Sequence, residues 1–250
     1  MRIILSPAKQ MTVDNDAVAH ETLPVFLEQA TELAGYMRSL SYAEAKKLWG
    51  CNDKLAEQNY ERFARMDLKR NLTPAVLAYD GIAFKYMAPG VFETDQFRYV
   101  QERLRILSGF YGVLRAMDGV TPYRLEMQAK ARPCGCRDLY AYWGERIYDE
   151  VQRGNDGRVI VNLASKEYSR CVEKYLRPED RYVSCVFAEE AGDGKLVQKG
   201  VYAKMARGEM VRYMAETAAE HPEDLQGFDR LGYRFAPKHS GEMEYVFLRE

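Results

Sequence analysis

RYVQERLRILSGFYGVLRAMDGVTPYRLEM, residues Arg98 to Met127, sets Gly109 and Gly112 in an arginine-rich stretch. Phe97, Val100, Leu104 and Leu107 recur at three- and four-residue intervals, the spacing of one buried helix face. The pattern stops at Ser108-Gly109, and a second short helical run is expected from Val113-Leu114-Arg115. Glycine admits backbone conformations closed to residues with a Cβ, so the stretch predicts a helix-hairpin-helix-like element at about 97–118. Amides around Ser108, Gly109 and Gly112 would then face an anion, with Arg105 and Arg115 beside them, because a helix N-terminus gathers unpaired N–H groups and partial positive charge. The same pattern also suits a plain helical pair whose glycines only allow close packing.

Around this stretch, strand-like and helix-like segments alternate with no linker or low-complexity tract between them. Arg2–Leu5, Ala75–Tyr79 and Val159–Leu163 are short apolar runs, as expected of strands buried on both faces. Phe26, Leu27, Ala30, Leu33, Ala34 and Met37 make one helix face, and Ser41 with Glu44 reads as a capping box for the next helix. A further helix from Asp138 buries Leu139, Trp143, Ile147 and Val151. Tyr182–Ala188 and Lys195–Gln198 flank Ala191-Gly192-Asp193-Gly194, a hairpin signal. A last helix carries Val211, Met214, Ala215 and Ala218, and Glu244–Leu248 alternates as a closing strand. The expected class is mixed α/β (α+β): one compact domain over 1–250, with a mixed central sheet flanked by helices.

Ligands of open sheets with parallel strands bind outside the carboxyl ends of the strands. The residues there are Ser6-Pro7-Ala8-Lys9, Asp80-Gly81, and Asn162, Ser165, Lys166 and Glu167. Lys9, behind a rigid Ser-Pro pair, reaches into the crevice or extends to water. Ser165 also suits the N-cap of a helix carrying Tyr168, Cys171, Val172 and Tyr175. Lys204 and Arg207 share a face in a helical first turn, either as a two-cation phosphate clamp or as a solvated basic edge.

The chain has 36 Lys plus Arg against 37 Asp plus Glu, which excludes a general basic coat and requires any nucleic-acid site to arise by segregation of charge. Ile3-Ile4-Leu5 is too short for a signal-peptide core and no later stretch reaches a membrane span, so a cytoplasmic location without a membrane partner is expected. Five cysteines form no secreted disulfide framework. His20, His221 and His239 lack a metal spacing and Cys134-Gly135-Cys136 lacks a second pair, so no metal and no cofactor is expected. Arg132 and Arg137 would favour thiolate at those two cysteines, which leaves oxidant sensing open.

Ser6-Pro7-Ala8-Lys9, Leu104-Arg105-Ile106-Leu107-Ser108-Gly109-Phe110-Tyr111-Gly112-Val113-Leu114-Arg115, Pro122-Tyr123-Arg124-Leu125-Glu126-Met127, Asp138-Leu139-Tyr140 with Trp143-Gly144, Asn162-Leu163-Ala164-Ser165, and Tyr202-Ala203-Lys204 with Ala206-Arg207-Gly208 resemble, in order, the signature blocks of the YaaA family of peroxide-stress proteins. The resemblance runs nearly the full length. It implies a fold peculiar to the family, a basic cleft with a helix-hairpin-helix element, DNA binding, and a role in limiting peroxide damage linked to intracellular iron. Two departures stand out. Arg115-Ala116-Met117-Asp118 replaces the family's usual Arg-Pro-Leu-Asp, and Phe110-Tyr111 separates glycines that common repair hairpins place one residue apart.

The residues add a mechanism to that resemblance. Lys9, Arg105, Ser108, Gly109, Gly112, Arg115, Arg124, Lys204 and Arg207 are expected to line one groove on duplex or structured DNA, with affinity set by shape and salt rather than base sequence. The alternative is an enzyme or small-ligand protein acting on a nucleotide or other phosphorylated molecule in the same cleft, through Ser6, Lys9, Tyr123, Glu126, Asn162, Ser165 and Glu167.

Overall fold

The computed structural model describes residues 1–13, 18–192 and 194–249. The chain opens with β1 (Arg2–Leu5) and β2 (Gln10–Met11), followed by α1 (Leu27–Ser39), α2 (Tyr42–Trp49) and α3 (Asp53–Arg65). Next come β3 (Thr73–Pro74), α4 (Ala75–Ala78), β4 (Tyr79–Asp80), α5 (Ile82–Met87) and α6 (Thr94–Arg103), then β5 (Leu104–Ser108), β6 (Gly112–Leu114) and β7 (Gly119–Val120). The second half holds α7 (Leu139–Trp143), α8 (Arg146–Gln152), β8 (Val159–Leu163), α9 (Lys166–Glu173), β9 (Arg181–Glu190), β10 (Leu196–Val197), α10 (Gly200–Thr217), β11 (Tyr233–Phe235) and β12 (Glu244–Arg249).

The main sheet has eight strands in the order β11-β12-β9-β8-β1-β5-β6, with β10 also paired to β9. From β12 to β5 every pairing is parallel, and β11, β10 and β6 attach antiparallel. The class is therefore mixed α/β with a mixed central sheet flanked by helices, as expected. Ile3, Ile4 and Leu5 are fully buried because β1 has a parallel neighbour on each side and sheet faces that are both covered. The capping box at Ser41 forms, with Glu44 accepting from the Ser41 amide and hydroxyl. Gly50, at φ +55°, turns the chain from α2 into α3, whose first turn is capped by Asn52. The late hairpin forms between β9 and β10, although its Asp193 lies outside the described residues.

Three expectations fail. The helix expected from Asp138 is two, α7 and α8, broken at Gly144 with φ +55°, although Leu139, Trp143, Ile147 and Val151 are buried as expected. The second concerns a short apolar run. Ala75–Ala78 is a buried helical turn, and only Tyr79–Asp80 is extended, pairing with β2. A run this short is apolar all round whether it coils or extends, so its pattern does not choose; here the Ala75 and Val76 amides donate to the Asp118 and Ala116 carbonyls and the turn closes.

The larger correction concerns 97–118. The helix ends at Arg103, Leu104–Ser108 becomes a sheet strand beside β1, and Gly112–Leu114 returns antiparallel to it. The element is a helix followed by a β-hairpin, with no helix after Gly112. All five residues of β5 are buried, and continuous burial satisfies a helical spacing by accident. A Cβ on Gly109 would sit 2.5 Å from the Leu125 carbonyl oxygen, and one on Gly112 2.7 Å from the Trp143 ring. Trp143 Nε1 also donates to the Gly109 carbonyl at 3.0 Å. Protein fills the space expected to hold a phosphate.

Candidate functional site

The chain leaves β1 toward β5 on one side, whereas β8 continues to β9 on the other. The strand order therefore reverses between β1 and β8, and a crevice opens beyond their carboxyl ends. Ser6 follows β1 and Ser165 follows β8; the Ser165 amide donates to Ser6 Oγ at 2.8 Å and the two hydroxyls lie 3.1 Å apart. Ser165 stands at the N-cap of α9, but its hydroxyl turns to Ser6 and caps nothing. A cavity of about 510 Å³ occupies the crevice.

Two close approaches shape its walls. A Cβ on Gly81 would meet that of Ala8 at 2.6 Å, so glycine lets the Ser6–Lys9 loop lie against the start of α5. Gly208 lets α10 press onto the Ala83 carbonyl of α5, which brings Lys204 and Arg207 over the cavity. The remaining lining includes Asp80, Ile82, Phe84, Tyr123, Arg124, Leu125, Glu126, Leu163, Glu167 and Tyr168.

Charge is unevenly arranged within it. Glu126 accepts from Lys9 at 2.8 Å and Arg124 at 3.2 Å. Glu167 accepts from the Gln128 amide at 3.1 Å; burial raises its carboxyl above the ordinary range, nearby Glu126 adds to the rise, and Lys9 opposes it. Lys204 and Arg207 make no ion pair among the described residues. Burial depresses the Arg207 guanidinium, and its Nε, like that of Arg124, is buried without a hydrogen-bond partner. Beneath the cavity, Ser108 Oγ accepts from the Phe110 and Tyr111 amides. Its two lone pairs so used, the hydroxyl donates its proton to Tyr123 OH at 2.6 Å, and Tyr79 OH lies 2.8 Å from Tyr123 on the other side. Burial pushes the Tyr123 phenol up to about 12, with both of those bonds opposing the rise.

Three depressions adjoin the cavity, each sharing residues with it or with one another through Glu126, Glu167, Lys130, Lys166 or Arg170. Along the whole row lie the cations Lys9, Lys47, Arg124, Lys130, Arg132, Arg137, Lys166, Arg170, Lys174, Lys204 and Arg207. The carboxylates there are Glu44, Asp80, Glu126, Asp138, Glu167 and Glu173.

Not every residue expected at the cleft is there. Ser6, Lys9, Tyr123, Arg124, Glu126, Ser165, Glu167, Lys204 and Arg207 converge on the cavity, with Ser108 directly below. Asn162 turns away, its amide donating to Ser184 Oγ at 3.3 Å and its oxygen accepting from the Ala164 amide. Arg105 and Arg115 lie toward the amino ends of the strands, around a separate hollow of about 220 Å³ that shares no residue with the cavity. There Arg105 donates to the Leu104 carbonyl at 2.8 Å, and buried Glu150 lies 3.9 Å from Arg115 and 2.5 Å from Arg153. Buried Asp118 accepts from Thr22 Oγ1 at 2.6 Å and the Arg115 amide at 2.8 Å. Sequence reasoning misses Lys47, Lys130 and Arg170; for Lys130 and Arg170 the one signal is the density of cations between Gln128 and Lys174, and Lys47 has none. Among the described residues, no group of three or more His, Cys, Asp or Glu is placed to hold a metal ion, and no helix is long and apolar enough to cross a membrane. Cys134 is exposed and Cys136 half-buried, and both are free.

The chain is similar to a family described as peroxide stress protein YaaA, whose model matches residues 1–239. A UPF0246 protein of Agathobacter rectalis is 57% identical over 250 residues, covering 100% of this chain and 99% of that one. Relatives of the same description occur in Desulfitobacterium hafniense, at 52% over 249 residues with 100% and 98% covered, and in Limosilactobacillus reuteri, at 48% over 248 residues with 99% and 98% covered.

Proposed function

The chain belongs to the peroxide stress protein YaaA family, and from that premise we propose that it binds duplex or structured DNA, without base specificity, along the row of depressions at the carboxyl ends of the sheet. One observation carries the reading: cations outnumber carboxylates nearly two to one along that row, in a chain of formal net charge −1. Segregated charge of this kind attracts phosphates and releases their counterions. Lys47, Lys130, Arg132 and Arg170 are exposed and make no ion pair among the described residues, so they are free to engage a backbone. Pre-bent DNA gains over linear DNA, because smooth bending of a site costs on the order of 1 to 6 kcal/mol. In the peroxide response the protein then acts at DNA and helps limit oxidative damage linked to intracellular iron.

The test is fluorescence anisotropy with linear, bulged and four-way DNA across a salt series. Four or five neutralised phosphates give a slope of log affinity against log salt of about 4 in magnitude. Lys130→Glu with Arg132→Glu is expected to lower it by about 2. A slope near zero, or unchanged binding by the double variant, ends the reading.

A second reading, a phosphorylated small molecule in the crevice, is favoured by the cavity itself. Its volume lies in the range of small-molecule sites, on the order of 300 to 1,000 Å³, and a row of phosphate contacts alone does not call for such an enclosure.

A further inference from the structure

The cavity at the reversal point has two chemically different ends. On the α10 side, Lys204 and Arg207 stand one helical turn apart with no carboxylate against them among the described residues, and Arg207 Nε is buried without a partner. Across the cavity, Lys9 and Arg124 are already engaged by Glu126, and Glu167 stands close enough for Glu126 to raise its carboxyl and Lys9 to lower it. That side offers carboxylate oxygens and no spare cation. Between the two, Ile82, Phe84, Tyr123, Leu125 and Tyr168 supply apolar and aromatic wall.

We infer that this cavity binds a single nucleoside phosphate, with its phosphate on Lys204 and Arg207, its base against the aromatic wall, and an amine or hydroxyl of the base or sugar donating to Glu126 and Glu167. Each part answers one feature: a half-buried guanidinium with no carboxylate against it among the described residues takes phosphate oxygens in a fork, aromatic walls take a flat ring, and carboxylates accept from N–H or O–H groups. The inference deepens the second reading above and rests on it. The same chemistry is carried by a free nucleotide and by the terminal nucleotide of a strand held along the basic row.

Calorimetric titration with AMP, adenosine and inorganic phosphate, on the full chain and without DNA, tests it. AMP is expected to bind and adenosine to bind at least roughly tenfold more weakly, the loss of one charge-assisted contact. Lys204→Glu, at an exposed position that folding tolerates, is expected to abolish that difference, and Glu126→Gln to weaken AMP and adenosine alike. Oligonucleotides with and without a 5′-phosphate separate the sources: a preference for the phosphorylated end, lost in Lys204→Glu, assigns the site to strand termini, and its absence alongside AMP binding assigns it to free nucleotides. Failure of AMP to bind, or equal AMP affinity in Lys204→Glu, overturns the inference. Nucleotide binding without duplex binding would end the DNA reading and leave this one standing, and duplex binding without nucleotide binding would do the reverse.

Discussion

The two ends of the central strands both gather arginines, and they treat them differently. At the amino ends, Arg2, Arg105, Arg115 and Arg153 gather around buried Asp118 and Glu150; terminal nitrogens of Arg2 donate to the Glu102, Arg153 and Gly154 carbonyls and one of Arg105 to the Leu104 carbonyl, although the Nε atoms of Arg2 and Arg105 are buried without a partner, as is that of Arg207 at the other end. Burial draws the Arg105 guanidinium down to about 10, with Arg2 and Arg115 adding to the effect. At the carboxyl ends, Lys204, Arg207, Lys130, Arg132 and Arg170 have no such partners among the described residues. Cations counted without the carboxylates beside them therefore say little about ligands; the ends differ in which carboxylates folding delivers beside each cation, and the excess left over lies at the carboxyl ends.

The contrast can be broken most forcefully at Glu150. Glu150→Gln leaves the neighbouring arginines without their buried counter-charge and is expected to cost about 3 kcal/mol, discounted for the half-exposed Arg115 and exposed Arg153. Urea unfolding measures it, and DNA and AMP affinities are expected to stay unchanged. A loss of ligand affinity with little loss of stability would make the amino end a binding site instead.

Gly208→Ala comes next, because its Cβ drives into the Ala83 carbonyl and separates α10 from α5. Overpacking of this kind costs about 1 to 3 kcal/mol. Here AMP binding is expected to fall together with stability, since the same contact holds Lys204 and Arg207 over the cavity.

A matched pair of charge reversals sharpens the comparison further. Arg170→Glu is expected to lower the salt slope of DNA binding by about 1 and Arg115→Glu to leave it unchanged. Equal slopes for both variants would merge the two ends into one electrostatic surface.

The smallest effect is a pH dependence. The Glu167 carboxyl holds its proton more tightly in the folded chain than unfolded. Its contribution is therefore complete below the unfolded carboxylate value, about 4.3, and is lost as pH rises through the raised folded one. Urea midpoints are expected to decline less between pH 4 and pH 7 in Glu167→Gln than in the parent chain.

Much of this was legible in residues whose signal is local. The Ser41–Glu44 capping box, the buried runs Arg2–Leu5 and Val159–Leu163, and the convergence of Ser6, Lys9, Ser165 and Glu167 follow from spacing and from the rule for strand ends. The helix holds to Arg103, and only Leu104–Arg115 departs from the expected coil, because a segment buried on every side carries no information about its own period: Leu104, Ile106 and Leu107 are buried whether the chain coils or extends. Asn162 differs for another reason: it lies inside β8, one residue short of its carboxyl end, and its side chain is held by the Ala164 amide and, across the sheet, by Ser184 of β9.

The amino-acid sequence by itself determined the family, the mixed α/β class and the strands whose ends meet at the crevice, since each rests on residue identity and short-range pattern. Only the tertiary structure decided that Arg105 and Arg115 are held apart from Lys204 and Arg207, and that Gly109 and Gly112 face protein. Those outcomes depend on which strand became the neighbour of β1 and where Asp118 and Glu150 came to rest, and electrostatic pairing across such distances in the chain is fixed by packing.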